Sequence, residues 1–341
     1  MVHGDTRYCL EGGASLAAAR MRRERPRHYT RVTPSRFGKG QGVRKMKIAF
    51  IGLGAMGTPM ARTLLKSGFA LTGYDADPAR SAALAPEGAT AAGSAAGAAA
   101  GADVLLVMVQ NYAQVCEALL GREGALAAMP PGAVVLVMST IAPAQARELA
   151  GYAAERGLAL VDAPVSGGPG RAATGDLSIA ISGEPGAVAR CQPVLDALGT
   201  QQYPVGNSAG QAMTLKIVHQ LLAGVHIAAA AEAIELGNRA GIAPEVVRDF
   251  VGHGAGNSWM FGDRGPRMVS GEYTPPKSAL AIFVKDLGIV HDLGASLGMT
   301  LAVADAALGL YRRAADAGMA HLDDSSVIEI VRANGDAPLT T

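Results

Sequence analysis

Cysteine is scarce in this chain, and what there is follows no pattern. Cys9, Cys116 and Cys191 are odd in number, far apart and without Cys-x-x-Cys spacing. That excludes a disulfide framework and a thiolate metal cluster, so no metal is expected and a reducing cytoplasm is the expected compartment. Net charge is scarce too. Thirty Lys and Arg face 29 Asp and Glu, a formal +1 at pH 7, which gives no case for nucleic acid or an acidic surface as the principal partner. No apolar run of membrane length is free of polar residues. The most apolar stretch, 209–241, is interrupted by Lys216, His219, Gln220, His226, Glu232 and Glu235, so no membrane partner is expected.

What is abundant is small and apolar. Hydrophobic residues make up 49% of 341, with 44 glycines. This is enough chain for two domains and a sizeable core. Residues 1–45 stand apart: they hold nine arginines and little periodic hydrophobicity. They read as a disordered basic extension without the apolar core of a signal peptide.

From Met46 onward the pattern is strand, glycine loop, helix. Residues 47–51 (KIAFI) form a short apolar strand, followed by Gly52-Leu53-Gly54-Ala55-Met56-Gly57 and a helix ending at Gly68. A second strand, 70–74, runs into Asp75, 23 residues past Gly52. A lone GxGxxG is weak, but between a strand and a helix, with an acid at that distance, it reads as a dinucleotide site. The glycines allow a tight turn and close approach of the pyrophosphate, and the helix N-terminus supplies amide donors. Asp75 would accept from the adenosine ribose and repel a 2′-phosphate, favouring NAD over NADP.

The alternation continues. Residues 103–109 and 133–138 are continuous apolar runs, as parallel strands buried on both faces require, with a helix over 144–156. Ser139-Thr140 follows the second run, at a strand end where open α/β sheets bind ligands; a simple helix N-cap is the competing reading. Strand 158–161 enters DAPVSGGPG (162–170), too rich in Gly and Pro for regular structure, with hydroxyl and amide donors clustered as in an anion-binding nest. A strand at 177–182, a helix at 185–198 and a closing strand at 201–205 complete the first half.

Residues 209–241 predict a helix of about nine turns, too apolar all round for a surface element. Lys216, His219 and Gln220 share one face of it. On the helix alone, Lys216 either snorkels to solvent or is held for proton transfer. Further helices are expected at 244–251, 279–297, 302–317 and 325–331. A long loop, 252–276, carries Asn257 and the single tryptophan, Trp259. Lys285-Asp286, within an apolar helix, has a salt-bridged surface pair as its default reading.

Taken together, these segments resemble the β-hydroxyacid dehydrogenase family, which includes 3-hydroxyisobutyrate dehydrogenase and tartronate semialdehyde reductase. The resemblance runs collinearly from Met46 to about Val331. IGLGAMGTPMARTLL (51–65) is similar to the family's cofactor signature, DAPVSGG (162–168) to its substrate signature, and GQAMTLK (210–216) to the segment presenting its catalytic lysine. The resemblance implies Lys216 as general acid/base. It also implies Thr140, Val109 and Lys285 at the cofactor, and Ser166, Gly167 and Gly168 at the substrate carboxylate. Two departures stand out: Gln220 where the family usually has Asn, and Val109-Gln110 in place of Leu-Pro. The stretches 216–233, 254–261 and 283–288 look most like the members that act on four-carbon sugar acids, L-threonate among them.

The expected architecture is therefore α/β: a doubly wound Rossmann-like domain (46–208) binding NAD, joined by the long helix to an all-helical domain (209–341). The partner expected is a small hydroxy acid, with His219, Gln220, Asn257 and Trp259 meeting its hydroxyls and carbon face. The apolar surplus of the helical domain implies a homodimer or homotetramer.

Overall fold

The computed structural model describes residues 45–333. The basic extension expected over residues 1–45 lies, Lys45 apart, outside the described residues.

The first half builds a nine-stranded sheet. Its strands are β1 (Lys47–Ile51), β2 (Ala70–Tyr74), β3 (Thr90–Ala91), β4 (Val104–Val107), β5 (Val134–Val137), β6 (Ala159–Asp162), β7 (Val165–Ser166), β8 (Ser178–Gly183) and β9 (Gln201–Gly206). The order β3-β2-β1-β4-β5-β6 is parallel throughout, the doubly wound Rossmann arrangement with its switch point between β1 and β4. β8 joins β6 antiparallel, and both β7 and β9 pair with β8.

Helices cover both faces: α1 (Gly57–Lys66), α2 (Pro78–Ala82), α3 (Ala95–Ala99), α4 (Tyr112–Leu120), α5 (Pro143–Ala154), α6 (Gly168–Ala173) and α7 (Pro185–Leu198). Alternation along the strands sorts the two cores. Ile48, Phe50, Leu106 and Leu136 face Met60, Leu64 and Val194 on one side; Ala49, Ile51, Leu105 and Val135 face Val115 and Leu149 on the other. All are at most 3% exposed, and each large aliphatic so buried contributes about 1.5–3 kcal/mol.

The helical domain forms around α8 (Gln211–Arg239), against which α9 (Pro244–His253), α10 (Trp259–Ser270), α11 (Leu280–Ser296), α12 (Ala302–Ala314) and α13 (Ile328–Ala333) all pack. Helix α8 is long and apolar enough to cross a membrane, but its Ile217, Ile227, Ala231 and Ile234 are buried against Phe283, Leu287 and Tyr311. At its start, Gly210 has φ +92° and offers no side-chain cap. The cap comes from the sheet instead. Asp162 accepts from the Met213 amide (3.0 Å) and from the Ser182 hydroxyl (2.6 Å), while Ser182 accepts from the Ala212 amide (2.8 Å). A buried carboxylate and hydroxyl thus receive the positive end of the helix that carries Lys216.

Two expectations are corrected here. The segment 162–170 is not irregular throughout: it holds β7 and the start of α6, because Gly167 (φ +138°) and Gly168 (φ +71°) turn the chain directly from strand into helix. The expected loop 252–276 contains the twelve-residue helix α10, started by Ser258, whose hydroxyl accepts from the Phe261 amide at 3.0 Å. Its Gly262, Gly265 and Pro266 are helix-breaking by intrinsic propensity. Burial of Phe261 and Met268, and a bidentate pair from Arg264 to the buried Asp324 (2.5 and 3.0 Å), override it.

Candidate active site

The glycine loop between β1 and α1 is a cradle only glycine can make. A side chain at Gly52 (φ +93°) would run into the Met108 carbonyl, and one at Gly57 into the Gly52 carbonyl. These clashes show how closely the loop and the first turn of α1 are folded together. Gly54, by contrast, faces open space bounded by the Arg80 guanidinium, 3.5 Å from where a Cβ would stand. Asp75 reaches back from the end of β2, with Oδ2 accepting from the Leu53 amide at 2.7 Å and Oδ1 from the Asp77 amide at 2.9 Å. These residues fit a dinucleotide: an open glycine at the helix N-terminus for the pyrophosphate and a fixed carboxylate where the ribose would lie. Ala55 and Met56 complete the turn into α1.

Across the switch point, the loops after β4 and β5 are pinned to each other. Ser139, fully buried, accepts from the Val109 amide at 2.8 Å, which shapes the loop where the sequence departs from Leu-Pro. Thr140 contributes its carbonyl, which accepts from Lys285 Nζ at 2.9 Å. Ser139, which fixes Val109, is thus the more deeply engaged member of the Ser-Thr pair.

Polar groups from α8, α11 and β7 gather around Lys216 and its neighbour His219. Lys216 Nζ donates to Gln220 Oε1 at 2.7 Å, one turn along α8. Gln220 Nε2 donates to Asp286 Oδ2 at 2.5 Å, and Asp286 Oδ1 accepts from Lys285 Nζ at 2.5 Å. From β7, Ser166 Oγ lies 2.6 Å from His219 Nε2. Gly167 and Gly168 form the turn into α6 beside it. The expected surface pair Lys285-Asp286 is corrected: Asp286 is 1% exposed and bonded into the Lys216 network. Asp286 had no assigned role, because an adjacent Lys-Asp in a helix reads as a solvated pair.

The electrostatics follow from this packing. Burial draws the Lys216 ammonium down to about 8, more than Asp286 opposes, with Lys285 pushing the same way as burial. Partial desolvation of a ring that still keeps an exposed edge, then the neighbouring Lys216 charge, takes His219 down to about 4 against the pull of Asp286. His219 is therefore a neutral imidazole at pH 7, and Lys216 is poised to exchange a proton near neutrality, as a general acid/base must be.

Asn257 and Trp259 are placed differently. Asn257 Nδ2 donates to the Gly252 carbonyl at 3.0 Å, closing the turn after α9. Trp259, at the first turn of α10, is 70% exposed. Neither shares a hydrogen bond with the Lys216 cluster among the described residues.

Two family models match end to end. Residues 47–206 match the NAD binding domain of 6-phosphogluconate dehydrogenase, and residues 210–331 match the NAD-binding domain of NADP-dependent 3-hydroxyisobutyrate dehydrogenase. An L-threonate dehydrogenase of Escherichia coli is 44% identical over 284 residues, covering 83% of this chain and 94% of the relative. The chain belongs to the 3-hydroxyisobutyrate dehydrogenase-like family of β-hydroxyacid dehydrogenases. It is an NAD-dependent hydroxyacid dehydrogenase, built on the Rossmann-like and helical domains of that family. An L-threonate dehydrogenase of Cupriavidus necator is 43% identical over 83% of this chain and 95% of the relative. Among solved structures of the family, a 3-hydroxyisobutyrate dehydrogenase of Salmonella typhimurium has a TM-score of 0.80 at 45% identity, covering 84% of this chain and all of that one. A 3-hydroxyisobutyrate dehydrogenase of Mycobacterium tuberculosis with L-serine has a TM-score of 0.74 at 31% identity, over 85% of this chain and all of that one.

Proposed function

We propose that this enzyme oxidises L-threonate to its 2-oxo acid, with Lys216 as the general base. The observation that carries the reading is the polar cluster on α8: the hydrogen-bonded chain Lys216–Gln220–Asp286 and, beside it, His219 bonded to Ser166 and within the field of the Lys216 charge. L-threonate buries three hydroxyls behind its carboxylate, and each needs a partner once water is excluded. A three-carbon acid with a methyl branch would want an apolar wall there instead. The 43–44% identity to L-threonate dehydrogenases supports the same substrate.

NAD, when bound, accepts the hydride from the carbinol carbon. On the protein side, the main-chain amides of Gly167 and Gly168 and the Ser166 hydroxyl would hold the carboxylate. His219, neutral, would fix the Ser166 hydroxyl. Lys216, as the free amine, would take the hydroxyl proton as the C–H bond breaks, leaving the carbonyl product and an ammonium. Positioned proton transfer is worth about 10²–10⁴ in rate.

The helical domain supports a homodimer or homotetramer. A groove of about 600 Å³ between α8 and α12 is lined by Val225, Ala228, Val303 and Leu310, with Val303 67% exposed. The cytoplasm is the proposed compartment, with a small hydroxy acid as partner.

The test is kcat/KM for L-threonate, D-threonate, D-erythronate, glycerate and 3-hydroxyisobutyrate under one condition with NAD. A site built to bond hydroxyls rejects analogues lacking them by about 10⁴ or more, so L-threonate is expected to lead glycerate and 3-hydroxyisobutyrate by that margin. If 3-hydroxyisobutyrate or glycerate comes within tenfold, the L-threonate assignment fails.

A further inference from the structure

The chain departs from the family's usual Asn at a position that the fold makes decisive. Gln220, 8% exposed, stands between an amine and a carboxylate that would otherwise compete to pair directly. Its orientation is fixed by chemistry: Asp286 can only accept, so the amide nitrogen must face Asp286 and the amide oxygen must face Lys216. Lys216 is thereby always a donor along this bond. In its neutral form the lysine keeps its one lone pair out of the network and free for a substrate proton.

The remaining charges are arranged to keep that form accessible. Asp286 uses its other oxygen on Lys285, whose Nζ also donates to the Thr140 carbonyl. With Lys285 positive and Asp286 negative, the network is neutral while Lys216 is a free amine. It carries an uncompensated charge once Lys216 is protonated. Among the described residues, His219 on α8 also titrates at this spot; the sheet contributes Ser166 and the Thr140 carbonyl, while its buried Asp162 is taken up by the Met213 amide and the Ser182 hydroxyl.

We propose that Gln220 is a positioning residue that insulates Lys216 from Asp286: it reserves the carboxylate for Lys285 and leaves the lysine lone pair for the substrate hydroxyl. An asparagine at this place is one methylene shorter and cannot span both partners in this geometry. The proposal rests on Lys216 being the base, and its test separates the two.

The first readout needs no substrate. Acylation of Lys216 by acetic anhydride is followed across pH in the purified enzyme by peptide mass spectrometry, for wild type, Gln220→Glu and Gln220→Asn. The wild-type midpoint is expected near 8. Gln220→Glu puts a carboxylate against the amine and raises the midpoint by about 1–3 units. Gln220→Asn lets the lysine fall toward Asp286 and raises it by a smaller amount. The second readout is the pH profile of kcat/KM for L-threonate with NAD, whose lower limb should move by the same amount while the Kd for NAD stays put.

Labelling midpoints within about 0.3 unit of wild type in the folded variants overturn the insulation. Should Gln220→Glu fail to fold by thermal melt, Gln220→Asn decides alone. A moved labelling midpoint with an unmoved activity profile overturns Lys216 as the base and leaves the insulation of the amine standing.

Discussion

Lys285 and Thr140 lie 145 residues apart in sequence, yet the lysine's Nζ donates to the threonine's carbonyl at 2.9 Å. The bond joins α11 of the helical domain to the end of β5 in the sheet domain. Ser166–His219 at 2.6 Å likewise ties the sheet domain to α8, three residues from Lys216. Lys216 is thus held within α8 by the Gln220–Asp286 chain, while the cofactor loops are held from the other side. Both domains thus tie down the helix that carries Lys216, and orientation contributes most to rate where a reacting group is held in this way.

Lys216→Ala is expected to lower kcat by about 10²–10⁴ with the Kd for NAD unchanged, since the lysine touches no residue of the glycine loop in the hydrogen-bond network. The pH dependence has a definite sign. Lys216 is depressed to about 8, so kcat/KM for oxidation should rise with pH through about 8 to a plateau, as the free amine appears. The reverse reduction needs the ammonium and should fall over the same range. A profile flat between pH 7 and 9 would show that the limiting proton transfer is not made by Lys216.

Asp75 is expected to set the choice of cofactor, and the structure already supplies the cation an exchange would need. Arg80 Nη1 lies 3.8 Å from Asp75 Oδ1, half exposed, on the helix that begins three residues after the acid. With Asp75→Ser the repulsion of a 2′-phosphate is removed and Arg80 is freed to receive it. The NADP/NAD ratio of kcat/KM should rise tenfold or more, about 1.4 kcal/mol. Wild-type enzyme preferring NADP would refute the assignment without any mutant.

How much of this was legible in sequence follows from the range of the interactions. The glycine loop, β1 to β6, and α8 are written locally, in turn chemistry and in runs of buried apolar residues. Helix α10 was hidden because Gly262, Gly265 and Pro266 speak against it locally, while Arg264 pairs with Asp324, 60 residues away. Asp286 was hidden because its neighbour Lys285 supplies a ready surface partner. Its burial depends on Gln220, 66 residues earlier. The cap of α8 was hidden for the same reason, since Asp162 and Ser182 lie 51 and 30 residues from the amides they receive.

That cap yields a stability prediction. Asp162 is fully buried, and desolvation raises its carboxyl above the ordinary value despite the bonds from Ser182 and Met213. Asp162→Ala leaves the Met213 amide and the Ser182 hydroxyl short of a partner in a dry site, a cost of about 1–3 kcal/mol. A lower melting temperature is expected, together with a reduced kcat because α8 carries Lys216. An unchanged melt would show that water or another acceptor replaces the carboxylate.

The bond between Ser166 and His219 makes a prediction about binding rather than chemistry. A hydroxyl can either donate to the ring or accept from it, and only the second arrangement leaves its proton for a substrate carboxylate. His219 is neutral well below physiological pH, with its value near 4, so one ring nitrogen always carries a proton and can occupy the Nε2 position. His219→Gln keeps an amide donor there and should retain most of the affinity, whereas His219→Leu removes the donor and frees Ser166 to rotate away. The expected result for His219→Leu is KM for L-threonate up by about tenfold, the worth of one hydrogen bond near 1.5 kcal/mol. Its kcat should change little, and the limb near pH 8 should stay in place. Ser166→Ala should raise KM similarly, and the double variant should cost less than the sum, because each single change already breaks the same bond. If the two effects add in full, Ser166 and His219 act on the substrate separately, and the histidine is not the residue that orients the serine.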